Sequence, residues 1–136
     1  MKIAICGSMV FSEKMLEIQK ELGKKYDVIV SKFAEQYAGN SEKEKERMTI
    51  QHKNNNDAMR EFCEKIKESD AVLELNYDRK GINNYIGGNT LIEIGYAHIL
   101  HKKIFLLNPI PEIEFYKSEI EAVRPVILNG DISKIK

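Results

Sequence analysis

The chain has 136 residues, enough for one hydrophobic core and too few for two. Hydrophobic residues make up 43% of it and charged residues 31%, as in ordinary soluble globular proteins. The 21 basic and 21 acidic side chains cancel to a formal net charge of +0, which argues against a strongly basic nucleic-acid-binding protein. We therefore expect a single domain over residues 1–136, without a nucleic-acid partner.

The cysteines and histidines give no sign of a metal site. Cys6 and Cys63 are isolated, without a C-x-x-C pair, and His52, His98 and His101 lack metal-ligand spacing. Cys6 falls in an apolar run, which favours a buried, inert thiol. The chain opens without a signal-peptide pattern, and no apolar run approaches the ~20 residues that span a bilayer. These features predict a cytoplasmic protein with no cofactor and no membrane contact.

Short apolar strands alternate with helical patterns along the chain. Residues 1–5 predict a strand, and residues 12–22 a helix with apolar side chains at helical spacing. Further strands are predicted at residues 28–30, 71–76, 104–107 and 126–128, and further helices at residues 59–68, 90–100 and 116–122. Residues 33–56 are polar, and two interpretations stay open: a mostly helical segment with ion pairs, or a mobile segment that orders on ligand binding.

Five near-continuous apolar strands that alternate with helices are typical of a parallel sheet covered on both faces. We predict an α/β domain of the flavodoxin-like or Rossmann-like type, with the strand order 2-1-3-4-5. In that order the topological switch point lies between the first and third strands, and ligands bind outside their carboxyl ends. The end of the first strand and the loop over residues 76–89 should therefore meet at a ligand site.

Gly7, Ser8 and Met9 follow the first strand and are the first candidate site residues. A glycine there lets a ligand approach the backbone, and the amides at a helix start favour anions. The segment is neither a G-x-G-x-x-G motif nor a P-loop, because a second glycine or a lysine is missing at the required place. A tight turn without a ligand explains the pattern equally well.

The segment G-G-N-T-L-I-E-I-G-Y-A, residues 87–97, carries the strongest signal. Gly87 and Gly88 permit close backbone approach, and Glu93 lies early in an apolar helix beside the predicted crevice. A carboxylate there can act as a nucleophile or general base on a glycosidic carbon. Alternatively, Thr90 and Glu93 form a capping box. Gly95, costly by ~1 kcal/mol inside a helix, indicates close packing or ligand approach.

Residues 88–97 resemble the G-x-T-x-x-E-x-G-x-A motif of the nucleoside 2-deoxyribosyltransferase superfamily, which includes the 2′-deoxynucleoside 5′-monophosphate N-glycosidases. The order of elements agrees over nearly the whole chain. The resemblance implies that Glu93 attacks C1′ of a 2′-deoxynucleoside, expels the base and forms a deoxyribosyl ester, which a second base or water resolves. It also implies that Asp78 or Asn76 handles protons on the leaving base or holds the sugar hydroxyls.

The resemblance further implies that Gly7, Ser8, Gly88 and Asn89 line a sugar or phosphate pocket, and that the chain forms a homodimer or larger assembly. Asn108 follows the fourth strand at the same sheet edge, so we include it among the residues that could contact a nucleoside or nucleotide.

Two departures from the family pattern bear on function. Family members often carry an aspartate directly before the motif's first glycine, where this chain has Gly87. The first loop also lacks an arginine and extra glycines for a 5′-phosphate, which favours nucleosides over nucleotides, although backbone amides alone can bind phosphate. Three hypotheses stay open: an N-glycoside hydrolase or transferase, a non-catalytic nucleotide or nucleotide-sugar binding module, and a protein that docks partners through charged residues 41–47.

Overall fold

A computed structural model describes residues 1–55 and 57–136. Its helices and strands follow in the order β1 Lys2–Cys6, α1 Ser12–Leu22, β2 Asp27–Ile29, α2 Ala34–Tyr37, α3 Glu42–Asn55, α4 Ala58–Lys67, β3 Ala71–Glu74, α5 Gly88–Ile99, β4 Lys103–Leu106, α6 Lys117–Ala122 and β5 Val126–Ile127. Short 3-10 turns cover Met9–Phe11 and Ile132–Lys134. Asn56, which the sequence places in the polar segment, lies outside the described residues.

The five strands form one parallel sheet in the order β2-β1-β3-β4-β5, which confirms the predicted α/β class and strand order. β1 is paired on both sides, with Ile3 opposite Val28 of β2 and Cys6 opposite Glu74 of β3. The carboxyl ends of β1 and β3 therefore lie side by side at the switch point, where a doubly wound sheet leaves a crevice.

Alternate strand residues fill a separate core on each face of the sheet, because successive side chains of a strand point to opposite faces. One core packs Ile5 of β1 against Met15 of α1. The other packs Val72 of β3 against Ile66 of α4 and Ile94 of α5. The sheet is thus buried on both faces, as the near-continuous apolar strands predict.

Polar contacts hold α3, the main helix of the polar segment, against the rest of the domain. Lys45 is only 4% exposed and donates to Glu13 Oε1 at 2.7 Å and to the carbonyl of Val10 at 3.1 Å. From the loop after β3, Arg79 reaches Glu46 at 2.6 Å. The helical interpretation of the polar segment is therefore the one that the structure adopts over residues 42–55.

Within the described part of the chain, every helix is too short or too polar to cross a membrane.

Candidate active site

A two-part cleft opens at the carboxyl ends of β1 and β3. Its inner chamber, of about 50 Å³, lies between β1, α1, α3, α4 and α5, and Glu93 is part of its wall. Its outer pocket, of about 250 Å³, lies between the turn after β1, α3, the loop after β3 and the start of α5. The residues that line both parts are Gly7, Met9, Thr49, Lys53 and Asn89.

Glu93 is buried, with 5% of its surface exposed. Because α5 begins at Gly88, two residues before the predicted start, Glu93 is the sixth helical residue and lies too far along the helix for a capping box with Thr90. Burial raises the pKa of Glu93 from 4.5 to about 8, and the positive charge of Lys53 on α3 opposes that shift. Glu93 is therefore a carboxyl with a perturbed pKa in a cavity wall, a combination typical of functional sites.

The start of α5 faces the outer pocket. Its first helical hydrogen bond runs from the Leu91 N–H to the Gly87 carbonyl at 2.9 Å. The N–H groups of Gly88, Asn89 and Thr90 precede that bond, and these three residues line the outer pocket. A helix start with amides in this arrangement favours a bound anion.

Basic side chains outnumber acidic ones among the described residues that line the outer pocket. Lys53, Arg79 and Lys80 are there together with one carboxylate, Glu46. Glu46 pairs with Arg79 at 2.6 Å and lies 3.5 Å from Lys80. Sequence reasoning missed Lys53 and Arg79, because basic residues are common in the polar stretches that carry them and only the tertiary fold brings them to the site.

Most of the predicted site residues meet at the cleft. Those that line it are Gly7, Ser8, Met9, Gly87, Gly88, Asn89 and Glu93. Gly7 has a φ of +145°, and an added Cβ would lie 3.1 Å from the Leu75 carbonyl oxygen. A side chain at Gly7 would therefore strain the turn that connects β1 to the cleft.

Asn76, Asn108 and Asp78 are absent from the described lining of either part of the cleft. Asn76 Oδ1 accepts the Asn108 N–H at 2.9 Å, and Asn76 Nδ2 donates to the carbonyls of Asn108 and Pro109. These bonds join the ends of β3 and β4. Asp78 is exposed, and its Oδ1 accepts the Asn84 N–H at 2.8 Å within the loop. Ligand contacts by these three residues stay predictions.

Tyr85 occupies the space beside Gly87. A Cβ at Gly87 would lie 2.8 Å from the Tyr85 hydroxyl oxygen. The guanidinium of Arg79 lies over the Tyr85 ring, 5.3 Å from its centroid. An aspartate at position 87 would therefore require this ring to move, which gives a physical reason for the glycine. The hydroxyl group of Tyr85 is a proton-bearing group beside position 87.

A second buried glutamate, Glu74, lies at the end of β3. It is 0% exposed, and neither carboxyl oxygen has a hydrogen-bond partner among the described residues. Burial, followed by the charge of Glu93, raises the pKa of Glu74 well above its usual range. A glutamate inside an otherwise apolar buried strand is unusual. That anomaly is visible in the sequence and could have identified Glu74.

The remaining nucleophilic and metal-binding side chains near the cleft are packed. His52 is 9% exposed, with Nδ1 2.8 Å from the Tyr37 hydroxyl and its ring stacked on Phe33. Burial raises the pKa of the Cys6 thiol well above its usual range. The described residues contain no group of three or more His, Cys, Asp or Glu side chains that could hold a metal ion.

The fold defines the class: an α/β protein with the nucleoside 2-deoxyribosyltransferase-like fold. The solved structure of the Clostridium botulinum CMP N-glycosidase BcmB is similar to this chain, with a TM-score of 0.52. The match covers 95% of this chain and 89% of that chain, at 20% sequence identity. No family model and no curated protein matches the chain.

Proposed function

We propose that the chain cleaves the N-glycosidic bond of a 2′-deoxynucleoside or of its 5′-monophosphate, with Glu93 as the nucleophile. The observation that carries the proposal is the position of Glu93, a buried carboxyl in the wall of a chamber at the switch point. The shared fold with a CMP N-glycosidase supports the general reaction type.

In the proposed reaction the C1′–N bond breaks and its electron pair leaves with the base, which takes up a proton. The Glu93 carboxylate stabilises the oxocarbenium-like C1′ and forms a C1′–O ester. Water or a second base then attacks C1′ and releases Glu93. Because the pKa of Glu93 is about 8, about one tenth of it is ionised at pH 7. The positive charge of Lys53 favours that ionised form.

The proposed substrate lies with its sugar where the two parts of the cleft join, so that C1′ faces Glu93. Its 5′ side extends into the outer pocket, towards the amides of α5 and the basic side chains of Lys53, Arg79 and Lys80. These groups suit a phosphate. They support the 5′-monophosphate over the free nucleoside, although the composition of the first loop alone favours the nucleoside.

Two side chains are candidates for the acid that protonates the leaving base. Asp78 follows from the family resemblance, but it is exposed and accepts a loop amide. Tyr85 lines the outer pocket beside Gly87. Replacing the acid, by Asp78→Asn or Tyr85→Phe, should slow release of a natural base much more than release of nitrophenol from a nitrophenyl 2-deoxyriboside, which leaves without a proton. Equal losses on both substrates would remove that residue as the acid.

The experiment that tests the proposal follows base release by chromatography from 2′-deoxynucleosides and their 5′-monophosphates, with and without an acceptor base. Mass spectrometry of the rapidly quenched wild type should detect a deoxyribosyl adduct on Glu93, which Glu93→Gln cannot form. A competing function is a binding module, favoured by the largely protonated state of Glu93 at neutral pH. It predicts that these ligands raise the melting temperature without any base release.

We also propose that the chain forms a homodimer or larger assembly. The outer face of α5 exposes Ile92 (53%) and Ile99 (74%). A Cβ at Gly95, on the same face, would have no described atom within 4 Å, so this glycine is not explained by close packing within the chain. A second copy against this face would account for all three residues. Sedimentation velocity should show a dimer that Ile99→Arg dissociates, and a monomeric wild type would contradict the proposal.

A further inference from the structure

We propose that Glu74 is a positioning residue for Glu93: once Glu93 has ionised, the carboxylic acid of Glu74 donates its O–H to the Glu93 carboxylate, and the two buried side chains then hold one proton between them. This inference rests on the proposed role of Glu93, but it is tested first without any measurement of activity.

The sheet places Glu74 on the face that is covered by α5, the helix that carries Glu93. Glu74 and Val72 are two residues apart on β3, so their side chains point to the same face, and that face packs against α4 and α5. Cys6 of β1 is directly opposite Glu74, and Cys6 lines the inner chamber together with Glu93. Glu74 therefore lies next to Cys6, a residue of the same chamber wall as Glu93, although Glu74 itself is absent from the described lining.

The burial of Glu74 requires a neutral side chain. A carboxylate there would lose its hydration, and only the Cys6 thiol, a weak donor, would lie beside it in compensation. A neutral carboxylic acid has one O–H group, which needs an acceptor. Glu74 therefore keeps its proton as the inner chamber titrates, and the direction of its pKa shift agrees with this.

Two kinds of oxygen at the inner chamber could accept that O–H. The side-chain oxygen of Asn89 is buried without a partner among the described residues, but a neutral amide oxygen is a weaker acceptor than a carboxylate. The titratable and charged groups that act on the two carboxyls are Cys6 on β1, Cys63 on α4, Glu93 on α5 and Lys53 on α3. Tyr37 and His52 also line the chamber, and the Tyr37 hydroxyl lies 2.8 Å from His52 Nδ1. Thiols are weak acceptors and an ammonium accepts nothing. Once Glu93 ionises, its carboxylate is the strongest acceptor beside Glu74.

The donated bond would serve the proposed chemistry in two ways. It holds one oxygen of Glu93, so that the other is left to attack C1′ in a fixed orientation. It also stabilises the ionised form of Glu93, which the buried chamber otherwise disfavours. Glu74 itself forms no bond to the substrate, and its proton stays on the pair throughout.

The test is a carboxyl titration by NMR, with glutamate labelled with carbon-13 at the side-chain carboxyl, on the free protein. Glu74→Met removes the donor and keeps an unbranched side chain, whereas Glu74→Gln retains an N–H donor. We expect Glu74→Met to raise the titration midpoint of Glu93 by about one pH unit, and Glu74→Gln to leave it within about half a unit of wild type. An unchanged or lowered midpoint in Glu74→Met would overturn the proposal.

A second variant keeps the proposal testable if Glu74→Met does not fold. In Glu93→Gln the neighbouring negative charge is gone, so Glu74 should titrate at least about one pH unit lower than in wild type. An unchanged Glu74 midpoint would show that the two carboxyls are independent and would refute the shared proton.

Activity separates this inference from the proposed function. If wild type releases base, the acidic limb of its pH profile of kcat/KM should move to higher pH in Glu74→Met. The size of this shift should equal the change in the titration midpoint of Glu93. Glu74→Gln should keep the wild-type profile. An inactive wild type with the expected NMR shifts would refute the proposed function and leave the shared proton standing. An active wild type whose two carboxyls titrate independently would support the proposed function and refute the shared proton.

Discussion

Replacing Glu93 with glutamine should change how the stability of the protein depends on pH. Burial raises the folded-state pKa of Glu93 from 4.5 to about 8, so the folded protein keeps a proton that the unfolded chain releases. The stability contributed by this group is fully present below pH 4.5 and is lost as the pH rises through about 8. Each pH unit of that interval costs about 1.4 kcal/mol, so the total loss is about 5 kcal/mol.

A loss of about 5 kcal/mol is as large as the whole stability of a marginal domain, so it is measurable. The assay is urea denaturation of wild type and Glu93→Gln between pH 5 and pH 9. Relative to the variant, wild type should lose about 4 kcal/mol of unfolding free energy over this range. Glu119→Gln, at an exposed glutamate of α6, is the matched control and should follow wild type. If wild type and Glu93→Gln stay parallel within about 1 kcal/mol, Glu93 is not a buried protonated acid and the reasoning fails.

Three further changes test other parts of the structure. Glu13→Gln should lower the unfolding free energy by about 2 kcal/mol in urea denaturation, because it removes the negative charge that pairs with the buried Lys45, whereas the exposed Glu17→Gln should cost less than about 1 kcal/mol. Since this pairing lowers the pKa of Glu13 to about 2, the difference should be present above pH 4.5 and fade as the pH falls towards 2; a difference independent of pH would argue against the ion pair. Asn76→Ala should lower the unfolding free energy by about 2 kcal/mol, because it leaves backbone groups at the end of β4 without partners; a loss below about 0.5 kcal/mol would contradict that role. Lys53→Met should weaken calorimetric binding of a 2′-deoxynucleoside 5′-monophosphate by about tenfold and hardly affect the free nucleoside, and equal weakening would contradict a phosphate in the outer pocket.

The architecture could be predicted because its signals are local. Each strand is a short apolar run, and helical patterns separate the runs, so a parallel sheet was the expected arrangement. The strand order then places the ligand site at the ends of β1 and β3, where Gly7 and Glu93 do line one cleft. Boundaries were less predictable: α5 begins at Gly88 although Thr90 is the better capping residue, and helix ends vary by one or two residues more readily than helix interiors do.

The remaining parts of the site depend on contacts between residues distant in the chain. Asn76 and Asn108 are 32 residues apart and bind each other, which no spacing rule reveals. Lys53 reaches the cleft only because α3 lies across the turn after β1. Glu74 is different, because a glutamate in a buried strand contradicts the apolar pattern around it. Such a local conflict between residue type and predicted burial is a signal that sequence reasoning can use.

The most direct test of the central claim is base release from 2′-deoxynucleoside 5′-monophosphates by wild type and Glu93→Gln, measured across the pH range. We predict release by wild type, with kcat/KM rising about tenfold per pH unit up to about pH 8, and a loss of more than about a thousandfold in Glu93→Gln. Release that persists in Glu93→Gln, or an inactive wild type whose melting temperature still rises with these nucleotides, would contradict a glutamate-dependent N-glycosidase.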